Sequence, residues 1–422
     1  MLHPMTTPLS IPLENGLTLR TLSSPEDLPR LARLMGDVFG PEVDRWAKRM
    51  FPVYPGLEPA DIFFVEDAAG EVVSTLTLVL WTLRYGPATL PVGEMGIVGT
   101  DAAYRRRGLV AAQVKHFKQR LAQRGCLLSI IQGIPFYYRQ FGYDYAWPLE
   151  GGWRLELRQA PETADNAYTV RAATPDDIPT LARLYDDATR HLTVTTLRTE
   201  ETWRYLLTPA PEPDACTRRT FVVCDEHGAV VAYLRLPDFH FGNELVLDEA
   251  SRCPLEAART VFAFLRREAE TASRPFIRLN LPSSHDLVLL ARAWGGVDQG
   301  TYAWQLHVPD LAALLRGLTP ALDERLAASL FAQYTATVTL GFYRDGLTLR
   351  FVDGRLVEVS DLHPVEKADA SLPPAAVMPL VMGHRPLHEL RRAYPDVNAH
   401  GEIELLLETL FPPGAAFLYQ VY

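Results

Sequence analysis

A run of three arginines, residues 105–107, stands directly before Gly108 in the sequence. Apolar residues around Val98 predict a buried strand before this run, and apolar residues at helical spacing from Leu109 onward predict a helix after it. The first turn of a helix presents unpaired backbone N–H groups and a partial positive charge, which attract phosphate oxygens. Arginine adds permanent, bidentate charge, and glycine allows close approach to the main chain. These residues predict a pyrophosphate site, although a solvated basic helix start has the same composition.

Two motifs in order resemble those of the GNAT acetyltransferases. Residues 105–110 follow the Arg/Gln-x-x-Gly-x-Gly/Ala pattern of the acetyl-CoA loop in that family, except that Val110 replaces the final small residue. After the next predicted strand, residues 126–131, the chain reads Tyr-x-x-Phe-Gly-Tyr from Tyr138 to Tyr143. Two ordered motifs are far more specific than one. The N-terminal part of the chain is therefore identified as a GNAT-like acetyltransferase with a mixed α+β order of elements.

Composition and charge exclude several other classes of protein. The chain has 422 residues, 48% of them hydrophobic, and a net charge of -10, which argues against general nucleic-acid binding. Its four cysteines form no C-x-x-C pair, so neither a disulfide framework nor a metal site is expected. The first residues lack the pattern of a signal peptide, and no apolar run approaches the ~18 residues of a membrane span. A cytoplasmic protein without a membrane partner is therefore expected.

The opening of the chain is repeated in its second third. A predicted strand, a Pro-acidic turn and the letters Leu-Ala-Arg-Leu occur at residues 17–34 and again at residues 168–184. The repeat predicts a second acetyltransferase-like fold. Its counterpart of the arginine loop, residues 243–254, is acidic and lacks Arg-x-x-Gly. Because acidic side chains would repel a pyrophosphate, the second copy is expected to be non-catalytic.

The rest of the chain predicts a third unit. Asp310 can cap a helix at residues 311–318, and two Asp-Gly turns then predict antiparallel strands. Two acetyltransferase-like folds, this unit and an aromatic chain end together resemble the Eis-type (enhanced intracellular survival) acetyltransferases. The resemblance implies three domains: a catalytic GNAT domain at 1–158, a degenerate GNAT-like domain at 159–307, and a sterol-carrier-like α/β domain at 308–422.

The resemblance also implies roles for individual residues. The acetyl-CoA contacts that it implies are Val98, Gly99, Thr100, Arg105, Arg106, Arg107, Gly108, Leu109, Val110, Ala111, Gly133 and Ile134. The family has a serine where this chain has Gly133. The proton donor falls on Tyr138, and the proposed base is the terminal carboxylate of Tyr422. Acetyl-CoA is the implied cosubstrate, and no metal is expected.

Chemistry makes these roles reasonable to different degrees. A backbone N–H at Val98 or Thr100 could stabilise negative charge on the thioester carbonyl. Tyr138, with a reference pKa of ~10, suits protonation of a leaving thiolate. A free carboxylate such as that of Tyr422 starts near a pKa of ~3.5 and is a weak base unless it is desolvated or acts through water. Glu94, on the predicted central strand, is the alternative base.

The predicted activity is N-acetyl transfer from acetyl-CoA to a primary amine by direct attack in a ternary complex. The acceptor is expected to be a small molecule or a peptide amine. The family's acidic residue beside the chain end is absent, since Gln420 and Val421 precede Tyr422, and this argues against aminoglycosides. The alternative function is that of a non-catalytic protein that senses acyl-CoA or binds lipid. The resemblance also implies a homo-oligomer, with hexamers among the family's assemblies.

Overall fold

A computed structural model describes residues 8–149, 151–163, 167–240, 242–365 and 367–422. The sequence predicts no signal peptide at the start of the chain. Residues 1–7 of that segment lie outside the described residues. None of the helices in the described ranges is long and apolar enough to cross a membrane.

The strands before residue 160 include two long ones rich in β-branched and apolar residues, which suit a buried sheet. They are β1 (Ser10–Pro12), β2 (Thr18–Thr21), β3 (Ile62–Glu66), β4 (Val72–Tyr85), β5 (Ala88–Thr100), β6 (Leu128–Ile131), β7 (Asp144–Leu149) and β8 (Trp153–Glu156). The helices of this part carry apolar residues on one face. They are α1 (Asp27–Phe39), α2 (Pro41–Met50) and α3 (Leu109–Gln123).

The middle of the chain alternates short strands with helices. Its strands are β9 (Thr169–Ala172), β10 (Val194–Thr196), β11 (Arg218–Cys224), β12 (Val230–Pro237), β13 (Glu244–Leu247), β14 (Glu249–Ala250), β15 (Phe276–Leu279), β16 (Val297–Asp298) and β17 (Tyr302–His307). Its helices are α4 (Ile178–Thr189), α5 (Glu200–Leu207), α6 (Leu255–Thr271) and α7 (Asp286–Ala293).

The last part of the chain contains an antiparallel meander and several helices. Its strands are β18 (Ala336–Phe342), β19 (Asp345–Val352), β20 (Arg355–Leu362) and β21 (Ala370–Ser371). Its helices are α8 (Leu311–Ala327), α9 (Pro374–Val381), α10 (Leu387–Ala393) and α11 (Gly401–Leu410). The strands form one sheet in the order β20-β19-β18-β21.

The largest sheet, in the described part of the chain, has the order β1-β2-β3-β4-β5-β6-β17-β7, with β10 paired to β4. On one face the apolar side of α3, including Phe117 and Leu121, packs against Leu78 and Met95. On the other face, α1 and α2 pack into the core that continues into the rest of the molecule. Burial of these apolar faces is the main stabilising term.

Two strands cross between sheets. β17, which comes late in the chain, lies between β6 and β7 in the largest sheet. β8, which follows β7 in sequence, instead pairs with β15 and β16 in a separate sheet of order β13-β15-β8-β16. A further sheet has the order β14-β12-β11-β9. Sheet pairing therefore does not follow boundaries drawn along the sequence.

The last residues of the chain run back to the first sheet. Ala416 bridges to Val194 of β10, and the Thr196 hydroxyl donates to the Tyr419 carbonyl at 2.8 Å. These contacts carry the extended segment toward β5 and place the buried ring of Tyr422 beside the central strand.

Candidate active site

Strands β5 and β6 diverge after a short stretch of parallel pairing. Main-chain pairing joins residues 92–94 of β5 to residues 128–130 of β6. β5 continues to Thr100 with β4 as its partner on the opposite edge. Among the described residues, the main chain of β5 beyond Glu94 therefore has no strand partner on the β6 side. Buried N–H and C=O groups need partners, so this gap suits an extended ligand.

The gap contains a β-bulge in β5. The register shifts between Thr75 and Thr77 of β4, so that Ile97 and Val98 together lie opposite one residue. Ile97 has a φ of 50°, which is rare and strained for a β-branched side chain. A bulge disrupts the ladder locally and frees main-chain groups. A freed N–H at this point suits stabilisation of a developing oxyanion.

The arginine loop lies between β5 and α3. Arg105 Nε donates to the Thr100 carbonyl at 3.3 Å, and the Arg107 guanidinium stacks 4.7 Å from the Tyr104 ring centroid. Arg106 is exposed and has no protein partner among the described residues. Gly108 has a φ of 74° immediately before α3, in the left-handed region that favours glycine, and an added Cβ would meet only open space. Conformation rather than lack of room therefore favours glycine here.

Replacement of Arg106 by alanine is expected to weaken acetyl-CoA binding by about 10–100-fold, the usual worth of a hydrogen bond to a charged group. Titration calorimetry with acetyl-CoA measures this change. Arg190→Ala, which removes an exposed arginine on α4's C-terminal end, is the control and should leave the Kd unchanged. Equal affinity of wild type and the Arg106 variant would contradict the phosphate role.

Tyr138 lies on a short 3-10 helix, Tyr137–Phe141, directly after β6. Its side chain is buried and packs edge-to-face against Tyr137 at 5.0 Å between ring centroids. Burial raises the pKa of the Tyr138 hydroxyl above its usual range. The phenol is therefore protonated at neutral pH and can act as a proton donor, although the raised pKa makes it a weaker acid than a free tyrosine.

Gly133 packs closely against the Tyr138 ring. Its carbonyl accepts hydrogen bonds from the Tyr302 hydroxyl at 2.7 Å and from Gln305 Nε2 at 2.9 Å. A Cβ on Gly133 would overlap the Tyr138 ring and lie 2.9 Å from Gln305 Nε2. The structure thus gives Gly133 a packing reason to be glycine, independent of any contact with acetyl-CoA.

Gly133→Ala is expected to displace the Tyr138 ring and lower kcat about tenfold or more, with a stability cost of ~1–3 kcal/mol from overpacking. Steady-state kinetics and thermal unfolding together measure both effects. Gly228→Ala, at an exposed turn with a φ of 80°, should lose stability through backbone strain and keep full kcat, so it controls for a loss of stability alone. A Gly133 variant with lowered stability but full kcat would contradict the support of Tyr138.

Glu94 is a buried carboxylate beside the gap. Trp81 Nε1 donates to its Oε2 at 2.9 Å, and the Tyr422 hydroxyl donates to the same oxygen at 2.7 Å. Oε1 has no hydrogen-bond partner among the described residues. Burial raises the pKa of Glu94 to about 7, against the lowering effect of the two hydrogen bonds. A carboxylate with this pKa is a competent general base at neutral pH.

Tyr422 meets Glu94 through its side chain. Its ring packs against Trp46, Tyr54 and Trp81, with centroids 5.3, 6.2 and 5.9 Å away. Its main-chain oxygen accepts a hydrogen bond from Arg218 Nη1 at 3.0 Å. As the predicted terminal carboxylate, this group would be stabilised in its charged form by Arg218 and would be less basic. These contacts favour Glu94 over the Tyr422 carboxylate as the base.

Glu94 and Tyr138 line the same cavity of about 490 Å³, which the β5 bulge also lines. Three parts of the chain build its wall: Glu94, Ile97, Val98 and Tyr138 from the N-terminal part; Arg218, Val246, Asp248 and Arg278 from the middle part; and Phe417, Tyr419 and Tyr422 from the chain end. A site of this size and mixed polarity suits a small acceptor.

The structure brings together most of the residues that the sequence singled out. Val98, Ile134, Tyr138 and Tyr422 line the cavity. Gly99 and Thr100 follow the bulge, and Leu109, Val110 and Ala111 form the first turn of α3. Sequence reasoning did not find the contributions of Arg218, Asp248 and Arg278. They carry no local motif, and their placement depends on the pairing of distant strands.

Comparisons with known proteins agree with this geometry. Residues 18–146 match the family described as Acetyltransferase (GNAT) domain. A mycothiol acetyltransferase of Mycobacterium sp. (strain MCS) is 31% identical over 132 residues. That match covers 29% of this chain and 41% of the relative, so the chain spans less than half of the relative's length.

Solved structures match nearly the whole chain. A GCN5-related N-acetyltransferase from Anabaena variabilis has a TM-score of 0.68 at 15% identity, covering 95% of this chain and 99% of its own. A GCN5-related N-acetyltransferase from Kribbella flavida has a TM-score of 0.67 at 18% identity, and the match covers 96% of this chain and 100% of that one. Eis1 from Mycobacterium abscessus has a TM-score of 0.59 at 19% identity, and the match covers 95% of this chain and 98% of that one. At these identities the likeness shows the fold alone. The chain thus contains a GNAT acetyltransferase domain at residues 18–146 within a GNAT-like fold, and the comparisons support an acyltransferase.

Proposed function

We propose that this protein is an N-acetyltransferase that moves acetyl from acetyl-CoA to a primary amine by direct attack in a ternary complex. The observation that carries the proposal is one cavity that holds both a buried carboxylate with a pKa of about 7, Glu94, and a buried tyrosine hydroxyl, Tyr138. Ile97 and Val98, beyond the point where β5 and β6 stop pairing, also line this cavity. A base and an acid with these properties are what amine acylation from a thioester needs.

The residues present fit acetyl-CoA. The unpaired edge of β5 after Glu94 can pair with an extended amide chain, as the amides of pantetheine would require. The first turn of α3 and Arg106 can hold the pyrophosphate. Acetyl-CoA would supply the activated acetyl group as a thioester.

Each residue then has a defined task. Glu94 Oε1 accepts a proton from the amine, directly or through one water, while Tyr422 and Trp81 hold Oε2 in place. The main chain at the Ile97–Val98 bulge stabilises charge on the carbonyl oxygen. Tyr138 donates its proton to the departing thiolate.

We propose a tandem organisation in which only the N-terminal unit is catalytic. We propose that β9 and β11–β15 form the core of a second acetyltransferase-like fold, exchanging β17 for β8 with the first fold. The segment corresponding to the arginine loop carries no arginine cluster before α6, which suits a degenerate copy. The three-domain division, the Eis-type and sterol-carrier-like assignments, the homo-oligomer and the cytoplasmic location stay predictions from the resemblance.

Thiol release from acetyl-CoA over a panel of primary amines tests the proposed function. Amine-dependent release together with mass-spectrometric detection of the N-acetyl product would support it. Tight binding of acetyl-CoA without release in the presence of any amine would instead favour an acyl-CoA-sensing protein.

A further inference from the structure

One arginine in the cavity wall differs from its neighbours in having no partner among the residues that the structure describes. Arg278, on β15, lines the cavity and is half-buried. Within the described ranges, its guanidinium forms no ion pair or hydrogen bond, and its Nε is shielded from solvent without a partner. A guanidinium that lines a cavity without a carboxylate partner can bind an anionic group of a ligand.

The other arginines near this wall are neutralised. Arg218 Nε donates to Asp248 Oδ2 at 2.7 Å. Arg198 and Arg235 share Glu249, at 2.5 and 3.1 Å. Asp248 and Glu249 are thus already paired with these three arginines, and Arg278 is paired with neither of them.

A second arginine lies beside Arg278. The antiparallel register of β8 and β15 pairs Arg154 directly with Arg278. Residues directly opposite in such a pair share one face of the sheet, and like charges there are destabilising. The Arg154 guanidinium stacks 4.5 Å from the Phe276 ring centroid, and it too has no carboxylate partner among the described residues. Of the two, Arg278 lines the cavity, and Arg154 adds positive charge from the same face of the sheet.

The cavity wall also contains aromatic residues. Trp46, Phe417 and Tyr419 contribute apolar surface to its wall. An acceptor that fills this cavity therefore needs an apolar body in addition to its polar groups.

Building on the proposed function, we propose that the acceptor is a primary amine carrying an anionic group, with an apolar body between them. Arg278 binds the anionic group, Arg154 strengthens the positive field, and the amine reaches Glu94. Carboxylate is the proposed anion. Phosphonate shares its recognition chemistry, and the experiment separates the two.

Matched acceptors test this proposal. The enzyme is assayed with 4-(aminomethyl)benzoate, with its uncharged methyl ester and with 4-(aminomethyl)phenylphosphonate. Wild type is expected to prefer the carboxylate over the ester by about tenfold or more in kcat/KM, since a charge-assisted contact is at stake. Arg278→Gln should abolish that preference by raising KM for the carboxylate about 10–100-fold, with kcat and the ester nearly unchanged. Arg278→Lys should restore part of it.

Controls keep the outcomes distinct. Arg259→Gln, on the exposed face of α6 outside the cavity, should behave as wild type. Equal kcat/KM for acid and ester in wild type, or equal losses for both in Arg278→Gln, would overturn the anion site. A preference for phosphonate over carboxylate would overturn the choice of carboxylate. If no amine is acetylated, the proposed function fails, and calorimetric binding of 4-(aminomethyl)benzoate to wild type and Arg278→Gln still decides the anion site.

Discussion

Replacement of Tyr138 by phenylalanine is expected to lower kcat by about 10²–10⁴-fold, the usual contribution of a positioned general acid. The substitution retains the ring that packs against Gly133 and Tyr137 and removes only the hydroxyl. Acetyl-CoA binding and folding should therefore persist. Single-turnover measurement of thiol release isolates the chemical step from product release.

Tyr137→Phe is the matched control for this experiment. Tyr137 is the adjacent tyrosine on the same 3-10 helix, but its side chain is partly exposed. Removal of the Tyr137 hydroxyl should change kcat by less than about threefold, because surface substitutions have small effects. A Tyr138→Phe enzyme with full kcat would show that Tyr138 is not the general acid and that water donates the proton.

Glu94→Gln is expected to lower kcat/KM by about 10²–10⁴-fold, because glutamine cannot accept the amine proton. In wild type, kcat/KM should rise as pH increases through about 7, where Glu94 loses its proton. The variant should lose this rise and keep only the rise that reflects deprotonation of the free amine at higher pH. Profiles of kcat/KM against pH for both enzymes measure the difference.

Stability gives an independent check on the Glu94 pKa. Burial raises the folded-state pKa above its ordinary value of 4.5, so the folded protein holds the proton more tightly than the unfolded chain. Stability is therefore lost as pH rises from about 4.5 to about 7. Glu94→Gln should lose less stability over this interval, as measured by denaturant unfolding at each pH.

Tyr422 separates the two candidate bases. Tyr422→Phe keeps the main-chain carboxyl group and the aromatic packing, and it removes the hydroxyl that donates to Glu94 Oε2. Loss of that donor should raise the Glu94 pKa, so the pH at which kcat/KM rises should increase. The opposite result would be a Glu94→Gln enzyme with a normal pH profile and a wild-type enzyme that loses activity when the Tyr422 carboxyl is amidated. That result would identify the Tyr422 carboxylate as the base.

The sequence by itself determined the local elements of the site. The arginine loop and the Asp310 cap act over short distances, so the helices that begin at Leu109 and Leu311 were predicted at their observed first residues. The aromatic motif placed Tyr138 directly after β6 for the same reason. Contiguous residues with fixed spacing leave little for tertiary packing to alter.

Only the tertiary structure decided how distant residues meet. Tyr422 and Glu94 are separated by 328 positions, and their hydrogen bond depends on the chain end returning to β5. The adjacency of Arg154 and Arg278 depends on β8 joining a sheet that its neighbour β7 does not join. The left-handed conformation of Ile97 opposes its intrinsic preference, and the surrounding sheet imposes it. Such contacts are selected by the burial and register of whole sheets, which local sequence patterns do not encode.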